Sequence, residues 1–160
     1  MSLRAAVVVA SNRAAAGVYA DETGPLIRDW LRDQGFDCTE PDVVPDGDPV
    51  REAIAAAVAA GSRVVLTTGG TGLTPTDRTP EATAPLLDRE VPGIAEAIRA
   101  SGLAAGAVDA GLSRGLVGVS GSTLVVNLAP SRAAVRDGMA TLTPLVRHVI
   151  AQLSGLDSAV

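Results

Sequence analysis

An unbroken apolar run at residues 5–10, Ala-Ala-Val-Val-Val-Ala, constrains the fold more than any other feature of the sequence. A strand with one wet face alternates apolar and polar residues, whereas a strand buried on both faces is apolar throughout. A second short apolar run, residues 64–66, comes directly before a glycine-rich turn. The two runs therefore predict buried parallel strands in an α/β fold.

Helical patterns separate these predicted strands. Apolar residues recur at helical spacing between Pro25 and Gly35, a second strand is expected over residues 36–44, and an alanine-dense helix over residues 50–60. Three β–α alternations with short connections imply right-handed crossovers and a mostly parallel sheet. The binding crevice of such a sheet lies at the carboxyl ends of its strands.

The second half of the chain continues the same architecture. We expect helices with irregular joints over residues 79–112, two strands within residues 116–128, and a last helix over residues 132–153. The chain has 160 residues, which is the size of one ordinary domain, and it shows no repeat or linker. We therefore expect a single domain over residues 1–160.

Charge and composition exclude several partners. The formal net charge is -5, which offers no electrostatic footprint for nucleic acid or for an anionic membrane surface. No stretch of about 20 apolar residues is present, and the single cysteine, Cys38, cannot form an internal disulfide. The sequence is thus typical of a cytoplasmic protein without nucleic-acid or membrane partners, and a small anionic ligand would need local donors.

The turn Thr67-Thr68-Gly69-Gly70-Thr71-Gly72 follows the second apolar run directly. Its three glycines allow positive φ, so that backbone N–H groups can converge on an anion, and its threonine hydroxyls are additional donors. The motif contains no lysine and therefore differs from the GxxxxGK[ST] pattern of nucleoside-triphosphate sites. The pattern favours a phosphate cradle, and a tight strand-to-helix turn without a ligand is the alternative.

Two aspartates are candidates for handling a metal near this turn. Asp77 lies a few residues beyond the cradle, and Asp46 follows the second predicted strand at the same edge of the sheet. Facing carboxylates there could share a Mg²⁺ ion that neutralises a triphosphate. The alternatives are structural: Asp77 as the N-cap of the helix entered through Pro80, and Asp46-Gly47 as a turn pair before Asp48 as a helix cap.

Two serines complete the set of candidate ligand contacts. Ser11 ends the first strand and could meet polar edges of a ligand, although residues 11–13 also fit an ordinary loop. Ser131 opens the last helix and can be an N-cap, an anion donor at the positive helix end, or both.

These motifs together resemble the Mog/MoaB-type molybdenum cofactor biosynthesis proteins. The resemblance covers nearly the whole chain, and the ordered combination is far more specific than a glycine pattern alone. It rests on Thr68-Gly69-Gly70-Thr71-Gly72 with Asp77 and Thr79-Pro80-Glu81, Ser11-Asn12-Arg13, Pro45-Asp46, Glu90-Val91-Pro92-Gly93, Leu112-Ser113-Arg114 and Asn127-Leu128.

The resemblance implies a three-layer α/β/α fold, a homotrimer and a nucleotidyltransferase activity. That activity is molybdopterin adenylyltransferase: Mg²⁺-dependent transfer of AMP from ATP to the terminal phosphate of molybdopterin, with release of pyrophosphate. It implies molybdopterin and ATP as ligands and a molybdenum-insertion protein as a downstream partner. It makes Asp46 and Asp77 the catalytic and metal-binding residues. The substrate contacts that it implies are Ser11, Thr68, Gly69, Gly70, Thr71, Gly72 and Ser131.

The chain departs from the family pattern at three positions. Asn12 stands where the family usually has aspartate, Ser122 where it often has lysine, and Pro130 where it usually has glycine. Proline lacks an N–H, so one anion donor is lost, and Arg132 is placed to add a positive charge. Two other functions remain open: a non-catalytic trimeric molybdopterin- or nucleotide-binding scaffold, and a hydrolase of a pyrophosphate bond.

Overall fold

The computed structural model describes residues 3–155. The strands are β1 (Leu3–Ala10), β2 (Phe36–Cys38), β3 (Asp42–Val44), β4 (Val64–Thr68), β5 (Arg89–Glu90), β6 (Val117–Ser120) and β7 (Thr123–Leu128). The α-helices are α1 (Asn12–Ala15), α2 (Thr23–Asp33), α3 (Asp48–Ala59), α4 (Thr79–Thr83), α5 (Pro92–Ala104), α6 (Arg132–Leu142) and α7 (Val146–Leu153). Two 3₁₀ helices are Ala84–Leu86 and Val108–Leu112. No helix in this part of the chain is long and apolar enough to cross a membrane.

The strands form one seven-stranded sheet in the order β2-β1-β4-β7-β6-β5, with β3 also paired to β1. Strand β1 pairs in parallel with β2, β3 and β4, and β4 pairs in parallel with β7. Strands β6 and β5 complete the sheet in antiparallel pairing. The expected mostly parallel α/β sheet is therefore confirmed.

Helices cover both faces of the sheet because alternate residues of the buried strands point to opposite sides. In β1, Val7 and Val9 join the larger core under α2, α5, α6 and α7, whereas Val8 joins the smaller core under α3 and α4. All three valines are buried. The apolar run at residues 5–10 is thus a strand packed on both faces, and the three-layer α/β/α architecture is confirmed.

The prediction of one continuous second strand over residues 36–44 was wrong. It is split into β2 and β3 by residues 39–41, which do not pair with β1. Pro41 has no N–H for a ladder bond, and Arg32 donates two hydrogen bonds from Nε and Nη2 to the Cys38 carbonyl at 3.0 and 2.8 Å. The Arg32 side chain thus occupies the Cys38 carbonyl as its hydrogen-bond donor at the end of β2.

The last predicted helix is also two helices, α6 and α7, separated at residues 143–145. Pro144 lacks the N–H that a continuous helix would require there. The Thr143 hydroxyl donates to the Met139 carbonyl at 2.7 Å and accepts from Trp30 Nε1 at 3.0 Å. Two further elements, α1 and β5, were not predicted because they are too short to show a period.

We expect Leu66→Ala, in the middle of β4, to reduce the free energy of unfolding by about 2–5 kcal/mol, since it leaves a cavity in a packed core. Leu66 is fully buried, whereas Leu73 is 67% exposed. The control Leu73→Ala should stay within about 0.5 kcal/mol of wild type. Urea unfolding measures both, and equal effects of the two substitutions would contradict this account of the core.

Candidate functional site

The register of the parallel strands brings four chain segments to one edge of the sheet. Ala10 is paired with Val44, and Thr68 is paired with both Val9 and Leu128, so β1, β3, β4 and β7 end side by side. The residues that follow these ends surround a cavity of about 660 Å³. Cavities that bind cofactors and small molecules have about this size.

Most of the predicted site residues line this cavity. They are Ser11, Asp46, Thr68, Gly69, Gly70, Asp77 and Ser131. Thr71 and Gly72 instead line an adjoining cavity of about 480 Å³. Asp77 and Pro130 line both cavities and therefore stand where the two adjoin. The structure brings the predicted residues together, and their contacts with a ligand stay predictions.

The glycine-rich turn requires glycine at positions 69 and 70. Gly69 and Gly70 have φ values of 95° and 68°, in the region that residues with a Cβ rarely adopt. A Cβ on Gly69 would overlap the Ala10 carbonyl oxygen, and one on Gly70 would overlap Thr79 Oγ1 and lie 2.9 Å from Asp46 Oδ1. The turn therefore packs against β1 on one side and against Asp46 on the other.

The turn presents backbone donors, whereas its Thr68 hydroxyl is used within the structure. The Thr68 hydroxyl donates to the Ala129 carbonyl at 3.1 Å, and the Gly69 N–H donates to the Leu128 carbonyl at 3.0 Å. The N–H groups of Gly70, Thr71 and Gly72 donate no hydrogen bond to any other residue between 3 and 155. Consecutive unpaired N–H groups in a glycine turn form an anion-binding concavity. The geometry thus supports the predicted cradle, with Thr68 as a structural brace.

Asp46 lies beside the cradle with one oxygen sealed from water. Its Oδ1 is buried and accepts no hydrogen bond from the described residues. Its backbone N–H donates to Asn12 Oδ1 at 2.9 Å, which fixes the turn after β3. Burial and, next, the negative charge of Asp77 raise the pKa of Asp46, and the Asn12 backbone lowers it by less. An unsatisfied, partly desolvated carboxylate is where a cation would be stabilised most.

The alternative in which Asp48 caps the helix after Asp46-Gly47 is wrong. Helix α3 begins at Asp48, and its N-cap is Gly47, which has a φ of 95° and no side chain with which to cap. The Asp48 carboxylate instead lies 3.8 Å from Arg51 on the surface. The chain bends at Asp46-Gly47, and the Asp46 carboxylate lies against Gly70.

The capping alternative for Asp77 is likewise wrong. The N-cap of α4 is Arg78, and no side chain caps that helix. Asp77 Oδ2 accepts hydrogen bonds from the Thr74 N–H at 3.0 Å and the Thr74 hydroxyl at 2.8 Å. Its Oδ1 takes no part in these bonds, and its charge reaches Asp46. The two aspartates therefore line one cavity and lie within electrostatic reach of each other.

Arg114 holds the segment that carries Asp77. Its guanidinium donates to the carbonyls of Gly72 and Asp77, both at 2.9 Å, and to the Glu81 carboxylate at 2.6 Å. Its backbone N–H donates to the Thr71 carbonyl at 2.9 Å. Sequence reasoning did not include Arg114 among the site residues, and its presence in the family motif was the only signal.

The two serines both cap helices. Ser131 Oγ accepts from the Ala134 N–H at 3.1 Å at the start of α6, which confirms its N-cap role. Ser11 Oγ accepts from the Ala14 N–H at 3.1 Å and shares a 2.9 Å hydrogen bond with the Tyr19 hydroxyl. Residues 12–15 are thus a short helix rather than the ordinary loop considered from sequence.

The carboxylates fit a Mg²⁺ ion that is shared with a phosphorylated substrate. Between residues 3 and 155, no group of three or more His, Cys, Asp or Glu side chains forms a metal site of its own. Mg²⁺ usually takes one or two carboxylates and completes its shell with water and substrate phosphates. Asp46, with its buried unbonded oxygen, and Asp77 match that donor set.

Comparisons with known proteins decide the family. A family model described as a probable molybdopterin binding domain matches residues 6–148. The chain belongs to the Mog/MoaB-type molybdenum cofactor biosynthesis family. The solved structure of the molybdopterin biosynthesis Mog protein from Mycobacterium ulcerans has a TM-score of 0.91 and 45% identity, over 97% of this chain and 99% of that one.

Two curated relatives of the Mog/MoaB-type chain differ in length. A molybdenum cofactor biosynthesis bifunctional protein from Synechococcus elongatus is 44% identical over 96% of this chain, which spans only 48% of that protein. A molybdopterin adenylyltransferase from Haemophilus influenzae is 34% identical over 99% of this chain and 81% of its own length. The chain thus spans about half of the first relative and most of the second.

We expect Asp46→Asn to raise the Tm of the metal-free protein at about pH 7, because an amide avoids the desolvation of an ionised carboxylate. The folded-state pKa of Asp46 is raised. The free energy of unfolding of wild type therefore falls as pH rises from the ordinary aspartate pKa to the raised pKa of Asp46. Below that range the carboxyl is protonated in both the folded and the unfolded protein, so the gain in Tm from asparagine vanishes there. Thermal melts between about pH 3 and about pH 8 test this, and a pH-independent gain would contradict it. Asp37→Asn, at an exposed carboxylate, is the control.

We also expect Arg114→Lys to loosen residues 72–81, because an ammonium cannot reproduce a planar fork with three acceptors. Amide hydrogen exchange in that segment should accelerate by about tenfold or more, which corresponds to the loss of one or two charge-assisted hydrogen bonds. Arg63 donates to the Ser122 carbonyl and the Ser154 hydroxyl. Arg63→Lys is therefore the matched control, and equal exchange in the two variants would refute the bracing role of Arg114.

Proposed function

We propose that the protein is a molybdopterin adenylyltransferase. In this reaction an oxygen of the terminal phosphate of molybdopterin attacks the α-phosphorus of ATP. The bond from that phosphorus to the β-phosphate oxygen breaks, and pyrophosphate leaves. The observation that carries the proposal is that Asp46 and Asp77 line one cavity beside the glycine-rich turn. An oxygen of Asp46 and three backbone N–H groups of that turn form no hydrogen bond with any residue between 3 and 155.

The proposed roles follow from the charges that must be brought together. Two phosphate-bearing substrates repel each other, so the site needs fixed positive partial charge before the reaction starts. The N–H groups of Gly70, Thr71 and Gly72 supply it as fixed dipoles. Asp46 and Asp77 would hold Mg²⁺, which, when bound, neutralises the phosphates and the pyrophosphate leaving group. These residues position and neutralise the reactants, while the substrate phosphate itself is the nucleophile.

The rim of the cavity compensates in part for the departure at Pro130. Pro130 and Arg132 both line the 660 Å³ cavity. The Arg132 guanidinium is 3.8 Å from the Glu22 carboxylate, an exposed pair that contributes little. Arg132 therefore stays available to an anionic substrate and supplies a charge near the position where the loop lacks an N–H.

The relatives support this choice among the functions of the family. The Haemophilus influenzae relative is named molybdopterin adenylyltransferase, and this chain aligns with most of that protein. Mg²⁺ and ATP enter as part of the proposed reaction. The homotrimer and the downstream molybdenum-insertion partner stay predictions of the family resemblance.

Pyrophosphate release from Mg-ATP, measured with and without molybdopterin, tests the proposal. We expect wild type to release pyrophosphate only when molybdopterin is present. Asp77→Asn and the double variant Asp46→Ala, Asp77→Ala should lose turnover by about 10²-fold or more, as when an active site loses an electrostatic group, and should stay folded. Asp48→Asn, two residues from Asp46 and outside the cavity lining, is the matched control.

Two results would overturn the assignment. Binding of molybdopterin without pyrophosphate release would make the protein a carrier or scaffold. Consumption of ATP in the absence of molybdopterin would make it a hydrolase of phosphate anhydride bonds.

A further inference from the structure

One aromatic side chain stands apart from the hydrophobic cores. The chain has one tryptophan, one tyrosine and one phenylalanine. Phe36 is buried at 6% exposure, and Trp30 packs against the larger core and donates to Thr143. Tyr19 is 51% exposed and lines the 660 Å³ cavity. A half-exposed ring at the wall of a cavity is available to a ligand.

The Tyr19 ring is held in place without being buried. Its hydroxyl shares a 2.9 Å hydrogen bond with Ser11 Oγ at the end of β1. The Arg13 guanidinium lies over the ring, 6.0 Å from its centroid, within the range of a cation–π contact. The Val18 N–H donates to the Arg13 carbonyl at 2.9 Å and closes the loop before Tyr19. The hydrogen bond at the hydroxyl and the guanidinium over one face fix the position of the ring, so little ordering is needed when a ligand arrives.

Its position complements the phosphate cradle. Gly70, the first of the three turn residues whose N–H groups are unpaired, lines the same cavity as Tyr19. Among the described residues that line this cavity, Tyr19 supplies the only aromatic ring. ATP and molybdopterin each combine a phosphate group with a fused nitrogen heterocycle that contains a flat pyrimidine ring. A cavity with an anion-binding turn and a single exposed ring offers a surface for both parts of such a molecule.

We propose that Tyr19, with Arg13 beside it, is the stacking platform for the fused nitrogen heterocycle of a substrate. The proposal deepens the adenylyltransferase function and rests on it. Every purine or pterin has a π-face, so stacking on an aromatic ring together with an arginine is the chemistry that recognises it. Two sources supply such a ring, the adenine of ATP and the pterin of molybdopterin, and a binding experiment separates them.

Isothermal titration of wild type, Tyr19→Leu and Tyr19→Phe tests the platform. The probes are Mg-ATP, 6-hydroxymethylpterin diphosphate and inorganic tripolyphosphate, which has phosphates and no heterocycle. We expect Tyr19→Leu to weaken binding of a ring-bearing probe by about 5- to 150-fold, the range that loss of one stacked base produces. Tyr19→Phe keeps the ring and should stay within about threefold, since it loses only a partly solvated hydrogen bond. Tripolyphosphate binding should be the same for all three proteins.

The pattern of losses identifies the heterocycle. A loss for Mg-ATP alone assigns adenine to Tyr19, a loss for the pterin probe alone assigns the pterin, and a loss for both assigns a shared platform. Unchanged binding of both ring-bearing probes by Tyr19→Leu overturns the proposal. An equal loss for tripolyphosphate also overturns it, because Tyr19 would then act through the fold of the site.

The binding test of Tyr19 and the pyrophosphate test of the proposed reaction can fail independently. Tyr19-dependent binding by a wild-type protein that releases no pyrophosphate would overturn the transferase function and leave the platform standing. Pyrophosphate release that depends on molybdopterin, with unchanged affinity in Tyr19→Leu, would overturn the platform and leave the transferase function standing. If wild type binds none of the three probes, both proposals fail.

Discussion

Parallel pairing of β1 with β4, and of β4 with β7, sets the position of the site segments that follow these three strands, and β3, which precedes Asp46, is in turn paired with β1. The three strands are valine- and leucine-rich and buried on both faces, so a shift of one residue in register would move each core side chain to the wrong layer. With the register fixed, Ala10, Thr68 and Leu128 end near one line. The packing of the core, rather than any contact within the loops, therefore decides that the polar segments after these strands meet.

The site itself is built on close backbone approaches that exclude side chains. Gly69 lies against the Ala10 carbonyl, Gly70 against Asp46 and Thr79, and Arg114 fastens the segment that follows. This arrangement keeps one Asp46 oxygen buried and without a hydrogen bond from any residue between 3 and 155. Burial of a charged oxygen without a hydrogen-bond donor destabilises the protein when no cation is bound. The same burial makes the Asp46 carboxylate a good partner for a cation.

The sequence predicted those parts of the structure that depend on repeated patterns. The apolar runs at residues 5–10 and 64–66 predicted β1 and β4, and the glycines after β4 indicated the turn and the edge of the sheet at which it lies. The break in the second strand and the break in the last helix each contain a proline, Pro41 and Pro144, and the missing N–H of each was a signal that the predictions did not use. The side-chain contacts at these breaks, such as Arg32 with the Cys38 carbonyl, show no pattern in the sequence. Tyr19 was missed for a related reason: an isolated aromatic residue in a loop has no period that shows which way it faces.

The adjoining cavities bear on the kinetics of the proposed reaction. They meet at Asp77 and Pro130, so two bound molecules can lie side by side with their phosphates directed toward the same carboxylate. No adenylylated form of the protein is then needed as an intermediate. A transferase built in this way passes through a ternary complex, and its double-reciprocal plots intersect instead of running parallel.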